Sequence, residues 1–80
     1  MSLKLRIVSP EKVVFDDNVE SVTAPGVLGE FQILQDHAPL ISSLDNGRLV
    51  YRDNEGDHSL SIVGGFVEVQ KNVVSVCIEI

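Results

Sequence analysis

Few residues in this 80-residue chain could do chemistry, and their spacing does not assemble them for it. The metal-binding and nucleophilic types are His37, His58, Cys77 and scattered carboxylates. Zinc sites use closely spaced Cys and His ligands, and the chain has no Cys-x-x-Cys or His-x-x-x-His pair. The stretch Asp53-Asn54-Glu55-Gly56-Asp57 is acidic but lacks the ligand spacing and closing bidentate glutamate of a calcium loop. It reads as a solvated hairpin tip. Cys77 has no histidine near it in sequence, and a free cysteine most often acts as a small, partly buried hydrophobe. Ser, His and Asp all occur, yet no nucleophile-elbow sequence holds a serine. Gly64-Gly65 follows a strand with no helix after it to cradle a phosphate, so a tight turn or a close strand approach is expected. No metal or cofactor is expected. An enzyme working through Cys77 or His37 is the weakest of the available readings.

Composition narrows the rest. Eighty residues make one domain, spanning 1–80, with a small but feasible core. Twelve acids against six bases give a net charge of −6. That charge repels phosphate backbones and anionic lipid heads, which disfavours nucleic-acid binding and electrostatic membrane attachment. No apolar run approaches the ~20 residues needed to cross a bilayer as a helix. One cysteine cannot form an internal disulfide, so a reducing compartment is expected.

The elements that would carry any site are strands. Leu3, Leu5 and Ile7 alternate with Lys4 and Arg6, as in a half-buried strand. Ser9-Pro10-Glu11 breaks it. Val13–Phe15 forms a second strand and Asp16-Asp17-Asn18 a turn. Val19–Ala24 alternates again and is β-branched. Pro25-Gly26 turns the chain into a strand at Phe31–Leu34. A short apolar strand covers Leu40–Leu44. Asp45-Asn46-Gly47 favours positive φ and a hairpin reversal. Arg48–Tyr51, Ser59–Val63 (Leu60 and Ile62 inward), Phe66–Val69 and Val73–Ile80 follow, the last with Val74, Val76, Ile78 and Ile80 on one face. Gln70-Lys71-Asn72 is a turn. Eight or nine short strands without a helical period predict an all-β fold, an antiparallel sandwich or flattened barrel. No linker, repeat or domain boundary is visible. The chain stops on a strand residue, as either a minimal module or a truncated one would.

The stretch Pro25–Leu44 organises the chain. Two apolar runs, Phe31–Leu34 and Leu40-Ile41, flank a polar corner, Gln35-Asp36-His37, closed by Ala38-Pro39. Pro39 has no N–H and biases Ala38 toward extended backbone. Ordered corners on rigid scaffolds are frequent contact sites. From the residues alone, His37 reads as a corner histidine bonded to nearby backbone, Glu30 as a solvated surface carboxylate, and His58 carries no functional weight. Exposure of Leu28 or Phe31 near the glycine turns would make an apolar patch for a partner.

The segment Gly29–Leu40 resembles the G-E-x-G-I-L-P-x-H-A-P-L signature of the epsilon subunit of F-type ATP synthases, whose mitochondrial counterpart is called delta. Leu5–Ser9 followed by Pro10–Phe15, the turn Asp45-Asn46-Gly47, and Val63-Gly64-Gly65-Phe66-Val67-Glu68-Val69, similar to S-G-G-x-x-E-V, fit in order and spacing. Two departures stand out. Gln32 replaces a glycine, and Gln35-Asp36 replaces Pro-Gly. If the family glycine needs positive φ, glutamine there costs about 1 kcal/mol or shifts the loop.

The resemblance implies a sandwich of two five-stranded sheets and a non-catalytic central-stalk subunit that links gamma to the c-ring. It implies gamma contacts at Ser9, His37, Ala38, Pro39, Leu40 and Ser42, and c-ring contacts at Gly29, Glu30 and Phe31. It thereby reverses the reading of His37. It implies a peripheral place on the cytoplasmic face of the bacterial inner membrane. Most members continue into a C-terminal helical hairpin that nothing here matches, so no nucleotide binding is expected. The rival expectation is a free-standing β-sandwich binding module.

Overall fold

A computed structural model describes residues 3–80. Met1 and Ser2, which open the expected 1–80 span, lie outside the described residues. Nine strands account for most of the chain: β1 (Leu3–Val8), β2 (Val13–Val19), β3 (Ser21–Gly26), β4 (Gly29–Ile33), β5 (Leu40–Leu44), β6 (Gly47–Asp53), β7 (Gly56–Ile62), β8 (Gly64–Gln70) and β9 (Val73–Glu79). They form one sheet in the order β2-β1-β9-β8-β5-β3-β6-β7, with β4 paired to β3. β5 and β3 share a single paired position, Gly26 with Leu44. At that corner the sheet folds into a five-stranded half (β2-β1-β9-β8-β5) and a four-stranded half (β4-β3-β6-β7).

The expected all-β, flattened sandwich is therefore found, with two differences in detail. The halves hold five and four strands, not five and five. One neighbouring pair, β1 with β9, is parallel.

Alternation builds the core. Leu3, Leu5 and Ile7 of β1, Val67 and Val69 of β8, and Val74, Val76 and Ile78 of β9 all point inward and are buried. Val22, Ala24, Ile33, Leu49 and Ile62 answer them from the other half. No polar or charged residue among those described is fully buried.

Three expected turns are something else. Asp16-Asp17-Asn18 continues β2, pairing in register with Arg6, Leu5 and Lys4. β2 ends the sheet path, and Asp16 meets Lys4 Nζ at 3.0 Å, so these polar residues sit on a charged edge strand. The real bend is Glu20, which also brings Val19 into the core beside Val22. Pro25-Gly26 ends β3, and the turn lies at Val27-Leu28. Pro25 has no N–H to give the ladder, but its carbonyl still accepts from the Asp45 N–H (2.8 Å). Asn46-Gly47 has no positive φ. β5 and β6 do not pair with each other, so this segment is a corner between halves, not a hairpin. The β8–β9 link is a two-residue turn, Lys71-Asn72, with φ of 51° and 62°, as tight hairpins require.

Gly65 is the close strand approach foreseen for the glycine pair. Its φ is +147°, and a Cβ there would run into the Cys77 carbonyl oxygen and lie 3.0 Å from Ile78 Cα. At the far end of the four-stranded half, the Glu55 N–H donates to Asp53 Oδ1 (2.8 Å), shaping the β6–β7 tip. That bond, helped by His58 and opposed by partial burial, holds the Asp53 carboxyl below its usual range.

Gly65→Ala should destabilise the fold by about 3 kcal/mol or more in chemical denaturation, since backbone must move as well as strain. Gly29→Ala, with positive φ but open space around it, should cost only about 1–2 kcal/mol. Asp53→Asn should lower stability near neutral pH. Because the folded carboxyl is held low, its contribution is present above about pH 4 and disappears as pH falls through the folded value. Unfolding curves of parent and variant should therefore converge in acid.

Candidate functional site

The corner between β4 and β5 is pinned from across the sheet. Asp36 takes φ of 64°, a conformation aspartate tolerates better than most residues. Its N–H donates to Asn72 Oδ1 (2.6 Å), and Asn72 Nδ2 donates back to Asp36 Oδ1 (3.1 Å). The His37 N–H donates to the Leu34 carbonyl (3.1 Å) and closes the turn. The departures from the family pattern thus resolve differently. Gln32, at one family glycine, is ordinary extended strand without positive φ, and the left-handed position is Asp36, which stands for the glycine of the family's Pro-Gly pair.

His37 Nδ1 lies 2.7 Å from the Ala38 carbonyl oxygen, a bond made when Nδ1 carries the proton. The residue is half-buried, while Ala38 and Pro39 are exposed beside it. Ser9 and Ser42 are also locally bonded: Ser9 Oγ donates to the Lys12 carbonyl (3.3 Å) and Ser42 Oγ to that of Ser43 (3.1 Å). The group has the character of a contact surface.

The structure does not gather these residues in one spot. Leu40 pairs with Val69 and Ser42 with Val67, so both follow the inward phase of β5 and are half-buried. Ser9 follows the end of β1. The row from β5 to β1 runs Ser43, Phe66, Cys77, Val8, so Ser9 stands about 14 Å from β5, three strand spacings away. It also lies toward the Leu44 end, opposite the His37 corner.

What joins them is a feature that sequence reasoning missed. On the outer face of the five-stranded half, Val13, Val8, Cys77 and Phe66 occupy one cross-strand row. Phe66 is 52% exposed and Ile41, one row nearer the corner, 74%. A shallow cleft of about 330 Å³ opens beside the row, lined by Ser9, Pro10, Phe66 and Cys77 among others. A signal was present: Phe66 lies out of phase with Val67 and Val69, and Cys77 out of phase with Val74 and Val76. Large apolar groups on the polar phase of a strand mark a covered face.

The other expected group sits at the Val27-Leu28 turn. Leu28 is wholly exposed at its tip, as foreseen, and Glu30 is exposed. Phe31 is not: it is half-buried, packed against the core, with its ring over Gly26. β4 separates this turn from His37 by about 13 Å of strand. The structure therefore has two distinct candidate surfaces at opposite ends of one strand.

Among the described residues no group of three or more His, Cys, Asp or Glu is placed to hold a metal ion. No described helix is long and apolar enough to cross a membrane.

Known proteins resolve the kinship. An ATP synthase epsilon chain from Carboxydothermus hydrogenoformans is 49% identical over 74 residues, covering 92% of this chain and 55% of the relative. One from Desulfosudis oleivorans is 44% identical over 79 residues, covering 98% and 59%. The chain thus spans a little over half the length of these curated relatives. The same fold occurs in the solved mitochondrial ATP synthase of Euglena gracilis (OSCP/F1/c-ring), with a TM-score of 0.90 at 22% identity over 96% of this chain and 50% of that one. It recurs in the central stalk/c-ring of the Tetrahymena thermophila enzyme, with a TM-score of 0.84 at 17% identity, covering 100% and 65%. Residues 2–80 match the family model for the ATP synthase, Delta/Epsilon chain, beta-sandwich domain, and the chain belongs to that family.

Proposed function

We propose that this chain serves as the β-sandwich part of a central-stalk subunit in an F-type ATP synthase, a non-catalytic rotor component that joins gamma to the c-ring. The observation that carries the reading is the family match over residues 2–80, with relatives that are themselves ATP synthase epsilon chains. Geometry supports it in two ways. Ser9 Oγ, His37 Nδ1 and Ser42 Oγ each bond to local backbone, which suits docking rather than reaction. Two separate exposed surfaces also suit a part that must hold two neighbours at once.

In this reading gamma covers the outer face of the five-stranded half, from Ser9 across Phe66 to Ile41 and the Ala38-Pro39 corner. His37, Leu40 and Ser42 shape that corner from its inner side. The c-ring's polar loops meet the turn at Leu28, Gly29 and Glu30, with Phe31 bracing the turn from beneath. The domain would then sit peripherally on the cytoplasmic face of a bacterial inner membrane. It would bind no nucleotide itself and would couple proton flow to ATP synthesis by transmitting torque.

A titration of this chain against purified gamma tests the first surface. Tight binding by the parent is expected. Phe66→Ser should weaken it about 30-fold or more, the loss expected for removing one well-buried aromatic anchor. His37→Ala and Pro39→Ala should weaken it less. A folded parent that does not bind would refute the assignment. For the second surface, Glu30→Lys should reduce capture by isolated c-ring while shifting the thermal midpoint little, because an exposed loop carboxylate adds little stability. Ile62→Ala, in the core, should by contrast cost about 2–5 kcal/mol. A Glu30→Lys midpoint as low as that of Ile62→Ala would count against a pure contact role.

A further inference from the structure

The corner between β4 and β5 contains a turn whose own residues do not favour the shape it takes. The His37 N–H donates to the Leu34 carbonyl (3.1 Å), an i to i+3 bond that makes Leu34–His37 a β-turn. Asp36 has φ of 64°, while Gln35 has no positive φ. Among the standard turns, a positive φ at the third residue alone marks type II, which favours proline second and glycine third. Gln35 and Asp36 fill those two places. Type I accepts most residues and keeps both central ones at negative φ. The local sequence therefore favours type I, and the structure holds type II.

The two shapes differ by one movement. Passing between them turns over the peptide that links the two central residues, changing ψ of the second and φ of the third. Here that peptide joins the Gln35 carbonyl to the Asp36 N–H. The same N–H is the group that Asn72 holds, donating to Asn72 Oδ1 at 2.6 Å. A flip to type I would swing it to the other side of the turn and break this bond. Asn72 Nδ2 donates in return to Asp36 Oδ1 at 3.1 Å, so the side-chain amide is held at both ends. Its base is fixed as well. Asn72 has φ of 62° in the two-residue β8–β9 turn, and its carbonyl accepts from the Lys4 N–H of β1 (2.9 Å).

We propose that Asn72 is the positioning residue that selects the type II turn at Gln35-Asp36 and so sets Ala38 and Pro39 in place for the gamma contact. Selection of the turn is a property of the chain itself. Its consequence for docking rests on the proposed reading of this corner as part of the gamma surface. A partner that binds only the type II form binds more weakly in proportion as that form is depopulated. Asn72 acts on the corner through Asp36, from 36 positions away in sequence.

NMR of the isolated chain reads the turn directly. The Gln35 Hα lies close to the Asp36 N–H in type II and far from it in type I, because the flip moves that N–H. The parent should show a strong cross-peak between them, and its Asp36 amide should exchange with solvent more slowly than the Leu28 amide at the exposed turn. Asn72→Gly removes the side chain, and glycine adopts positive φ freely, so the β8–β9 turn survives. This variant should lose most of the cross-peak and bind gamma about 5- to 10-fold more weakly, the order expected for one lost hydrogen bond. In a chain carrying Gln35→Pro and Asp36→Gly, which favour type II unaided, adding Asn72→Gly should change cross-peak and affinity by less than about twofold. A merely structural role for Asn72 would give no such rescue. A cross-peak of full strength in Asn72→Gly overturns the proposal. Where that variant does not fold, a parent Asp36 amide exchanging as fast as that of Leu28 overturns it too. A parent with the expected cross-peak, lost in Asn72→Gly, that does not bind gamma refutes the gamma reading and upholds the selection of the turn.

Discussion

A single ladder position, Gly26 opposite Leu44, pairs the two halves of this sheet; the Val27 N–H donates to the Ser43 carbonyl and the Asp45 N–H to the Pro25 carbonyl on either side of it. Beyond that rung, the Asp36–Asn72 bonds and the Glu20 N–H to Arg52 carbonyl bond, side-chain packing keeps them together. The ladder bonds within each half fix strands side by side but do nothing to press one half onto the other. That work falls to the apolar residues facing inward, all of them aliphatic or alanine where burial is complete. Such a core gains its stability from area removed from water and tolerates no stray polar group. The absence of a fully buried polar residue among those described is the counterpart of having so few bonds across the fold. A small domain with this architecture can place polar or charged residues only on outer faces, edges and turns, and those are where its candidate functional features lie.

Much of this was legible in the sequence, because strand alternation reports burial directly. The phase of Leu3, Leu5 and Ile7, and of Val74, Val76 and Ile78, predicted the inward faces without knowledge of topology. The errors came where turn chemistry was read locally. Asp-Asp-Asn looks like a turn until an edge position and a lysine partner make it tolerable in a strand. Asn46-Gly47 has the composition of a hairpin, yet its flanking strands belong to different halves, and no local rule carries that information. The parallel β1–β9 pair was invisible for the same reason: it joins the two ends of the chain. At the corner, the motif located the residues, but the mutual Asp36–Asn72 bonds bridge 36 positions of sequence. They explain how aspartate stands where the family pattern has glycine.

The candidate contact residues divide between what their types suggested and what their phase concealed. Glu30, Ala38 and Pro39 are exposed as a contact role requires. Phe31, Leu40 and Ser42 are half-buried, and their chain neighbours Gln32, Ile41 and Ser43 are exposed instead. In each case the expected contact residue faces inward and the adjacent residue, on the opposite phase, faces out. Conserving a motif and exposing a surface are different physical demands. A strand meets both by alternating, so the motif marks the strand while the residues between its inward positions face any partner.

This division bears on how the proposed docking surfaces would communicate. The Leu28–Glu30 turn and the His37 corner are the two ends of β4, which pairs only with β3. A load applied at the turn reaches the corner along extended backbone, which resists stretching. It reaches the five-stranded half through the Gly26–Leu44 rung and through the core. The outer apolar row crosses β2, β1, β9 and β8 perpendicular to the strands, along the direction of the ladder bonds. A partner lying on that row would therefore grip four strands at once instead of one. Shear between neighbouring strands, the soft mode of a sheet this small, would be suppressed by such a partner. The two halves, joined by one rung, would then differ in stiffness. The five-stranded half would be braced by its partner, and the four-stranded half would rely on the core and on the contact of Phe15 in β2 with Tyr51 in β6.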